Sequence, residues 1–272
     1  MLDFSHDQAE SLRKLMNGPK QRVVSLITAT GEKDESGVYS NVATALARQG
    51  ANVLLTFART SSHQEILAYQ LGAQSSIVEH LLYGTEPENL VAQKVGQFAS
   101  LRLFPRHGES NTQDVSFMSN VNDYFSKVAA LHDLVLIDAE VTAKSALPLP
   151  IMNLGEIVIQ LNDEPESIKD AYSIIKRLKG GLGPRSFGIL ISANNEKIAR
   201  MVFKNIEQVA QSYLNTPLEF IGHIGPGSLL QTASVNPQPS MGFRPSQSSC
   251  LAIKQLLASL SPSNQPYGLM AN

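Results

Sequence analysis

The chain is short of the residues that mark many specialised proteins. Of its 272 residues one, Cys250, is cysteine and none is tryptophan, which excludes an intramolecular disulfide and any metal site built from a cysteine cluster. No apolar stretch approaches the roughly 18 uninterrupted residues of a membrane helix. Asp3, Asp7 and Glu10 make the amino terminus too acidic for a signal peptide, so the expected compartment is the cytoplasm. Positive charge is not in excess either. A formal net charge of −2 and a pI near 6.3 offer no polycationic face to a phosphate backbone, and nucleic-acid binding is not expected. His63, His80, His107, His132 and His223 are scattered without a metal-ligand spacing, so each reads as a surface or core histidine and no metal site is expected. No Ser-His-Asp arrangement can be argued from positions alone.

What remains is ample for a large core, with 43% of residues hydrophobic and 17% charged. The stretch Arg22–Leu55 organises the chain. Val23–Thr28 reads as a buried strand, Gly31–Gly37 as a loop, Val38–Gln49 as a helix stopped by Gly50, and Asn52–Leu55 as a second strand. This is a βαβ unit, whose first loop is where phosphates usually bind. Downstream, helices are expected at Ser62–Gln70, Ser76–Leu82, Glu86–Val95, Val115–Ala130, Ser167–Lys179 (halted by Gly180-Gly181), Lys197–Tyr213 and Ser249–Leu260. Strands are expected at Leu101–Phe104, Leu134–Asp138, Glu156–Leu161, Phe187–Ser192 and Glu219–Ile224. Strands alternating with helices predict an α/β fold: a single doubly wound, mostly parallel sheet with helices on both faces. Residues 1–20 stand apart. Ser5 suits an N-cap, Ala9, Leu12 and Met16 share a stripe, and Gly18-Pro19 ends the helix; a helix this short must dock or fray.

The first loop does not read as a phosphate cradle. A P-loop, G-x-x-x-x-G-K-[ST], wraps phosphates in backbone N–H groups, neutralises them with lysine and holds magnesium through its hydroxyl. Here it reads Thr30-Gly31-Glu32-Lys33-Asp34-Glu35-Ser36-Gly37. With the flanking elements in register, Glu35 stands at the lysine position and Ser36 at the hydroxyl. With Gly37 as the second glycine, those positions fall to Val38 and Tyr39. Neither register supplies the lysine. A unit charge pair near 4 Å is worth about 4 kcal/mol at an effective dielectric of ~20, so exchanging attraction for repulsion removes more than a micromolar site can lose.

Together these segments resemble the MinD/ParA-type family. Arg22–Leu55 is similar to its first βαβ unit, Asp133–Asp138 (DLVLID) to its Walker B strand, and Asn162–Lys176 (NDEPESIKDAYSIIK) to its TTPEPTSLTDAYALIK segment. Phe220–Pro226 and Ser248–Leu257 are similar to its closing strand and helix. Within the family the chain resembles the flagellar-number regulators of the FlhG (FleN) group, because Asp7-Gln8-Ala9-Glu10-Ser11-Leu12-Arg13 fits their DQAxxLR motif. In that group the segment stimulates the GTPase of FlhF, a signal-recognition-type protein that places the polar flagellum. The resemblance therefore implies that Gln8 reaches toward the partner's nucleotide, that Asp7 and Arg13 orient it, and that Ala9 and Leu12 pack on the partner.

The same resemblance exposes what has been replaced. The family's KGGVGKT aligns with Thr30–Ser36, putting Thr30 at the signature lysine, Gly31 at the first glycine and Glu35 at the second lysine. LLLDAD aligns with Leu54–Arg59, putting Phe57 at the water-positioning aspartate and Arg59 at the aspartate after it. Ser192 stands where a base-contacting asparagine is expected. Of the catalytic set, Asp138 and the hydroxyl of Ser36 remain. Hydrolysis needs several charges placed together, so the expectation is a degenerate ATPase: no catalytic residues, no cofactor, ATP and magnesium binding weak or absent, and no ATP-dependent homodimer. Ser249–Leu260 carries an apolar stripe but Lys254 alone as a cation, so no stable membrane insertion is expected. The expected organisation is a partner-binding helix and linker over 1–20, an α/β domain over 21–261 and a polar tail over 262–272. The implied role is a non-catalytic regulator acting on an FlhF-type GTPase, recruited by partners to the cell pole or flagellar base. The alternatives are a MinD-class ATPase with an altered loop, an adaptor for flagellar C-ring (switch) proteins, and a partner of a flagellar transcription regulator.

Overall fold

The computed structural model describes residues 22–29, 38–48, 50–59, 76–84, 94–95, 98–105 and 114–225. Its strands are β1 (Arg22–Thr28), β2 (Val53–Ala58), β3 (Lys94–Val95), β4 (Phe98–Arg102), β5 (Leu134–Ala139), β6 (Glu156–Asn162), β7 (Phe187–Ser192) and β8 (Leu218–Ile224). They form one sheet in the order β3-β4-β2-β5-β1-β6-β7-β8. β2 runs parallel to β4 and β5, and β7 parallel to β6 and β8, while β3 lies antiparallel to β4. This is the doubly wound, mostly parallel α/β sheet that the alternating pattern predicts. The helices are α1 (Val38–Arg48), α2 (Ile77–Tyr83), α3 (Val115–Ala129), α4 (Pro150–Leu154), α5 (Pro165–Leu182) and α6 (Glu196–Val209). None of the described helices is long and apolar enough to cross a membrane. The described residues divide into two compact units, one drawn from Met1–Leu26, Ala47–Glu140 and Leu147–Glu156, the other from Ile27–Leu46, Val141–Ala146 and Ile157–Asn272.

In the first unit, β2 (VLLTFA) and β5 (LVLIDA) are buried at every position, the uninterrupted apolar run of parallel strands covered on both faces. Asp133 fixes where β5 starts, its carboxylate accepting from the backbone N–H of Asn52 at 2.9 Å. α2 begins in a capping box between Ser76 and Glu79 and ends on Gly84 at φ 65°. Asp114 caps α3 by accepting from Ser116 and Phe117, and Val121, Phe125 and Ala129 share the stripe that α3 buries.

Two expectations fail here. The helix expected over Glu86–Val95 is contradicted at its end, because Lys94 and Val95 pair with Ala99 and Phe98; residues 86–93 lie outside the described residues. The strand expected at Leu101–Phe104 accordingly starts earlier, at Phe98, where cross-strand pairing overrides local propensity. α4 was not expected; it is a single turn begun by Pro150 at a first helical position.

In the second unit, α5 runs past the expected stop at Gly180-Gly181 and is capped by Gly183 at φ 82°. Gly181 serves packing, since a Cβ there would stand 2.0 Å from the carbonyl oxygen of Ser145, whereas a Cβ on Gly180 would meet nothing within 4 Å. The helix expected over Lys197–Tyr213 is α6 followed by a π-helical turn, Ala210–Leu214, ended by Asn215 in the left-handed region. Lys179 Nζ donates to the carbonyl of Leu214 there, satisfying a helix-end acceptor. The expected elements Gly31–Gly37, Ser62–Gln70 and Ser249–Leu260, and residues 1–20 and 262–272, lie outside the described residues.

Candidate functional site

The carboxyl ends of parallel strands are where a doubly wound sheet places its ligands. In the first unit that edge is built by β4, β2 and β5, with Phe57 opposite Arg102 on one side and Asp138 on the other. In-register neighbours of a parallel sheet face the same side, so Arg102, Phe57 and Asp138 share one face of the sheet. All three are buried, Asp138 to 1% exposure. The edge is tied down by the backbone N–H of Leu103, which donates to the carbonyl of Phe57 at 2.9 Å.

Arg59 follows the last residue of β2, and its Nη1 lies 3.8 Å from Asp138 Oδ1, an ion-pair distance, with side-chain exposures of 17% and 2%. A carboxylate that is buried and charged demands a positive partner. Coulomb attraction near 4 Å at an effective dielectric of ~20 is about 4 kcal/mol, most of it offset by desolvation of the two groups. A guanidinium so placed competes with any divalent cation for the same carboxylate, and Phe57 offers no oxygen to water or metal.

The second unit has its own polar edge. Thr28 Oγ1 and Tyr39 OH are 2.6 Å apart, joining the end of β1 to the first turn of α1, with Tyr39 only 1% exposed. Gln160 accepts from the N–H of Ala29 through its backbone carbonyl at 2.8 Å. Its side-chain Nε2 donates to Ser192 Oγ at 3.1 Å. At the start of the NDEPES segment, Asn162 Oδ1 accepts from the N–H of Glu164 at 3.0 Å and Ser167 Oγ from that of Asn162 at 2.9 Å. With Pro165 at the first helical position, this segment is the local chemistry that starts α5.

The sequence-derived residues thus separate. Phe57, Arg59 and Asp138 come together in the first unit, whereas Ser192 belongs to the second and is engaged by Gln160. Thr30, Gly31, Glu35 and Ser36, and the partner-binding set Asp7, Gln8, Ala9, Leu12 and Arg13, lie outside the described residues. Sequence reasoning did not single out Gln160 or Arg102. The available signal was a polar residue inside an otherwise apolar strand run, as in EIVIQLN.

No protein-family model matches the chain. It is 25% identical over 210 residues to the antiactivator FleN of Pseudomonas aeruginosa, covering 74% of this chain and 73% of that one. Among solved structures it is similar to MinD in the MinC:MinD cell division complex of Aquifex aeolicus (TM-score 0.61, 19% identity, 91% of this chain and 98% of that one). It is also similar to the septum site-determining protein MinD of Pyrococcus horikoshii complexed with Mg-ADP (TM-score 0.57, 15% identity, 89% and 96%). The chain has the fold of the MinD/ParA-type P-loop proteins and resembles, within that group, the FlhG (FleN) regulators.

Proposed function

We propose that the chain is a non-catalytic, FlhG-like regulator of flagellar number or placement, which binds an FlhF-type GTPase through residues 1–20 and stimulates it. The α/β body over 21–261 then serves as the scaffold and 262–272 as a polar tail. The observation that carries the non-catalytic part is the ion pair between Arg59 and Asp138. In the relative from Pyrococcus horikoshii the same fold holds Mg-ADP; here the residue two beyond Phe57 brings its own positive charge to the carboxylate at the end of β5. Together with Glu35 and Phe57, this supports ATP and magnesium binding that is weak or absent and a chain that does not dimerise around ATP. The partner part is supported by the similarity to FleN and by Asp7, Gln8, Ala9, Leu12 and Arg13 in their motif spacing.

The test is GTP hydrolysis by the partner GTPase with the intact chain, with residues 1–20 deleted, and with Gln8→Ala. Stimulation by the intact chain and its loss in both variants are expected; equal stimulation by the deletion variant overturns the assignment. A second reading is favoured by the word antiactivator in the relative's name: contact with a flagellar transcription activator, made by the α/β body. Under that reading the deletion of residues 1–20 leaves repression of flagellar transcription intact.

A further inference from the structure

We infer that the edge of the first unit where β1 begins is a docking surface for the chain's own residues 6–16, whose apolar stripe of Ala9, Leu12 and Met16 is held there until a partner takes it. The point where residues 1–21 join the body is pinned. The backbone N–H of Arg22 donates to the carbonyl of Asp133 at 3.1 Å, and its Nε and Nη2 donate to Glu156 Oε1 at 3.0 and 2.6 Å. β1 thus starts between the starts of β5 and β6, its neighbours in the sheet, which lie about 10 Å apart. On each side a leucine stands out from the body, two residues before the residue that holds Arg22: Leu131 is 72% exposed and Leu154 87%. The backbone is fixed at both. Asn52 Nδ2 donates to the carbonyl of Leu131 at 2.8 Å, and Gly155, next to Leu154, approaches β1 so closely that a Cβ would stand 2.5 Å from the carbonyl oxygen of Val23. A leucine exposed alone is ordinary; two astride the point where an amphipathic segment leaves the body give its stripe somewhere to be buried.

The tether selects the occupant. Met16 and Arg22 are six residues apart, about 20 Å when extended, and Gly18-Pro19 between them lets the chain turn back. A tether this short keeps the segment at an effective concentration of about 1 mM, so a contact as weak as about 0.2 mM between separate molecules is filled for roughly five-sixths of the time. The carboxyl-terminal residues, by contrast, follow β8 in the second unit. The consequence for activity rests on the function proposed above: Ala9 and Leu12 are also the residues assigned to the partner, so docking and partner binding compete, and the body restrains its own activating segment.

The experiment compares the full-length chain with Leu131→Gln plus Leu154→Gln, with Leu12→Gln, with all three substitutions together, and with Leu82→Gln, a control at another exposed leucine. Trypsin cleavage after Arg13 and Lys14 reads the undocked fraction. It should be roughly sixfold faster in the surface double variant and in Leu12→Gln, no faster still when the three are combined, and unchanged in Leu82→Gln. With the partner GTPase, the surface double variant should reach half-maximal stimulation at a roughly sixfold lower concentration than the parent, because its segment no longer has to undock first. Should the surface double variant fail to fold, Leu12→Gln carries the test on an unaltered body. The inference is overturned if the parent is cleaved as fast as the surface and Leu12 variants, or if Leu82→Gln accelerates cleavage equally. Protection that rises with protein concentration also overturns it, by assigning the surface to a second copy of the chain. Faster cleavage of both docking variants with no stimulation of GTP hydrolysis by any of the proteins supports the docking and refutes the proposed function instead.

Discussion

Gly180 and Gly181 are neighbours in α5, and alanine should act on them in opposite directions. In a helix interior Gly→Ala gains about 0.5–1 kcal/mol, because alanine loses less backbone entropy on folding. At Gly180 nothing lies within 4 Å of an added Cβ, so that gain should be realised. At Gly181 the Cβ would stand 2.0 Å from Ser145 O, 2.8 Å from its carbonyl carbon and 3.1 Å from its Cβ. The obstacle is backbone that cannot retreat cheaply. Ser145 is at φ 58°, Thr142 and Ala146 are joined by a backbone and a side-chain hydrogen bond at 2.9 and 2.8 Å, and Arg177 Nη2 donates to the carbonyl of Thr142 at 2.8 Å. Overpacking of this kind costs about 1–3 kcal/mol, so the two variants should differ by about 2–4 kcal/mol. For a chain of this size that is a separation on the order of 5–15 °C in Tm, from ~2–4 °C per kcal/mol. Circular dichroism melts and urea midpoints read it directly. A Gly181→Ala protein as stable as Gly180→Ala would refute the close approach of α5 to the 141–146 segment.

Ser76→Ala removes the side chain that accepts from the N–H of Glu79 and donates to its carboxylate, and should cost about 1 kcal/mol of stability; an unchanged urea midpoint would count against the capping box. Light scattering of the parent should give one mass with and without ATP and magnesium, and an ATP-induced doubling would refute the proposed loss of the nucleotide switch.

The elements legible in the sequence were those whose reason is local. β5 and β7 read as short apolar runs bounded by polar residues, and the helices expected from Ser76 and Val115 start within one residue of α2 and α3, whereas the one expected from Ser167 starts two residues earlier, at Pro165. What escaped was set by distant partners. Gly180-Gly181 has the local form of a helix stop, and nothing in its own neighbourhood reveals a carbonyl at Ser145. Lys94 and Val95 are strand because β4 offers them an edge. The π-helical turn is fixed by Lys179 and Asn215 rather than by its own five residues. At the site, Phe57, Arg59 and Asp138 could each be named from the family resemblance, but Arg59 read only as a loss. Its pairing with Asp138 requires the register of β2 on β5, which joins positions about eighty apart in the chain. Gln160 was hidden for the same reason, its partner Ser192 lying one strand away.

The central claim is that a fold which elsewhere holds adenine nucleotide here keeps its architecture without one, its buried carboxylate answered by an arginine of the chain itself. The most direct test is calorimetric titration of the intact protein with ATP in the presence of magnesium. The account predicts no saturable heat at nucleotide concentrations up to about 1 mM, equivalent to binding weaker than roughly −4 kcal/mol. A saturable isotherm with micromolar Kd that disappears in Asp138→Ala would contradict it.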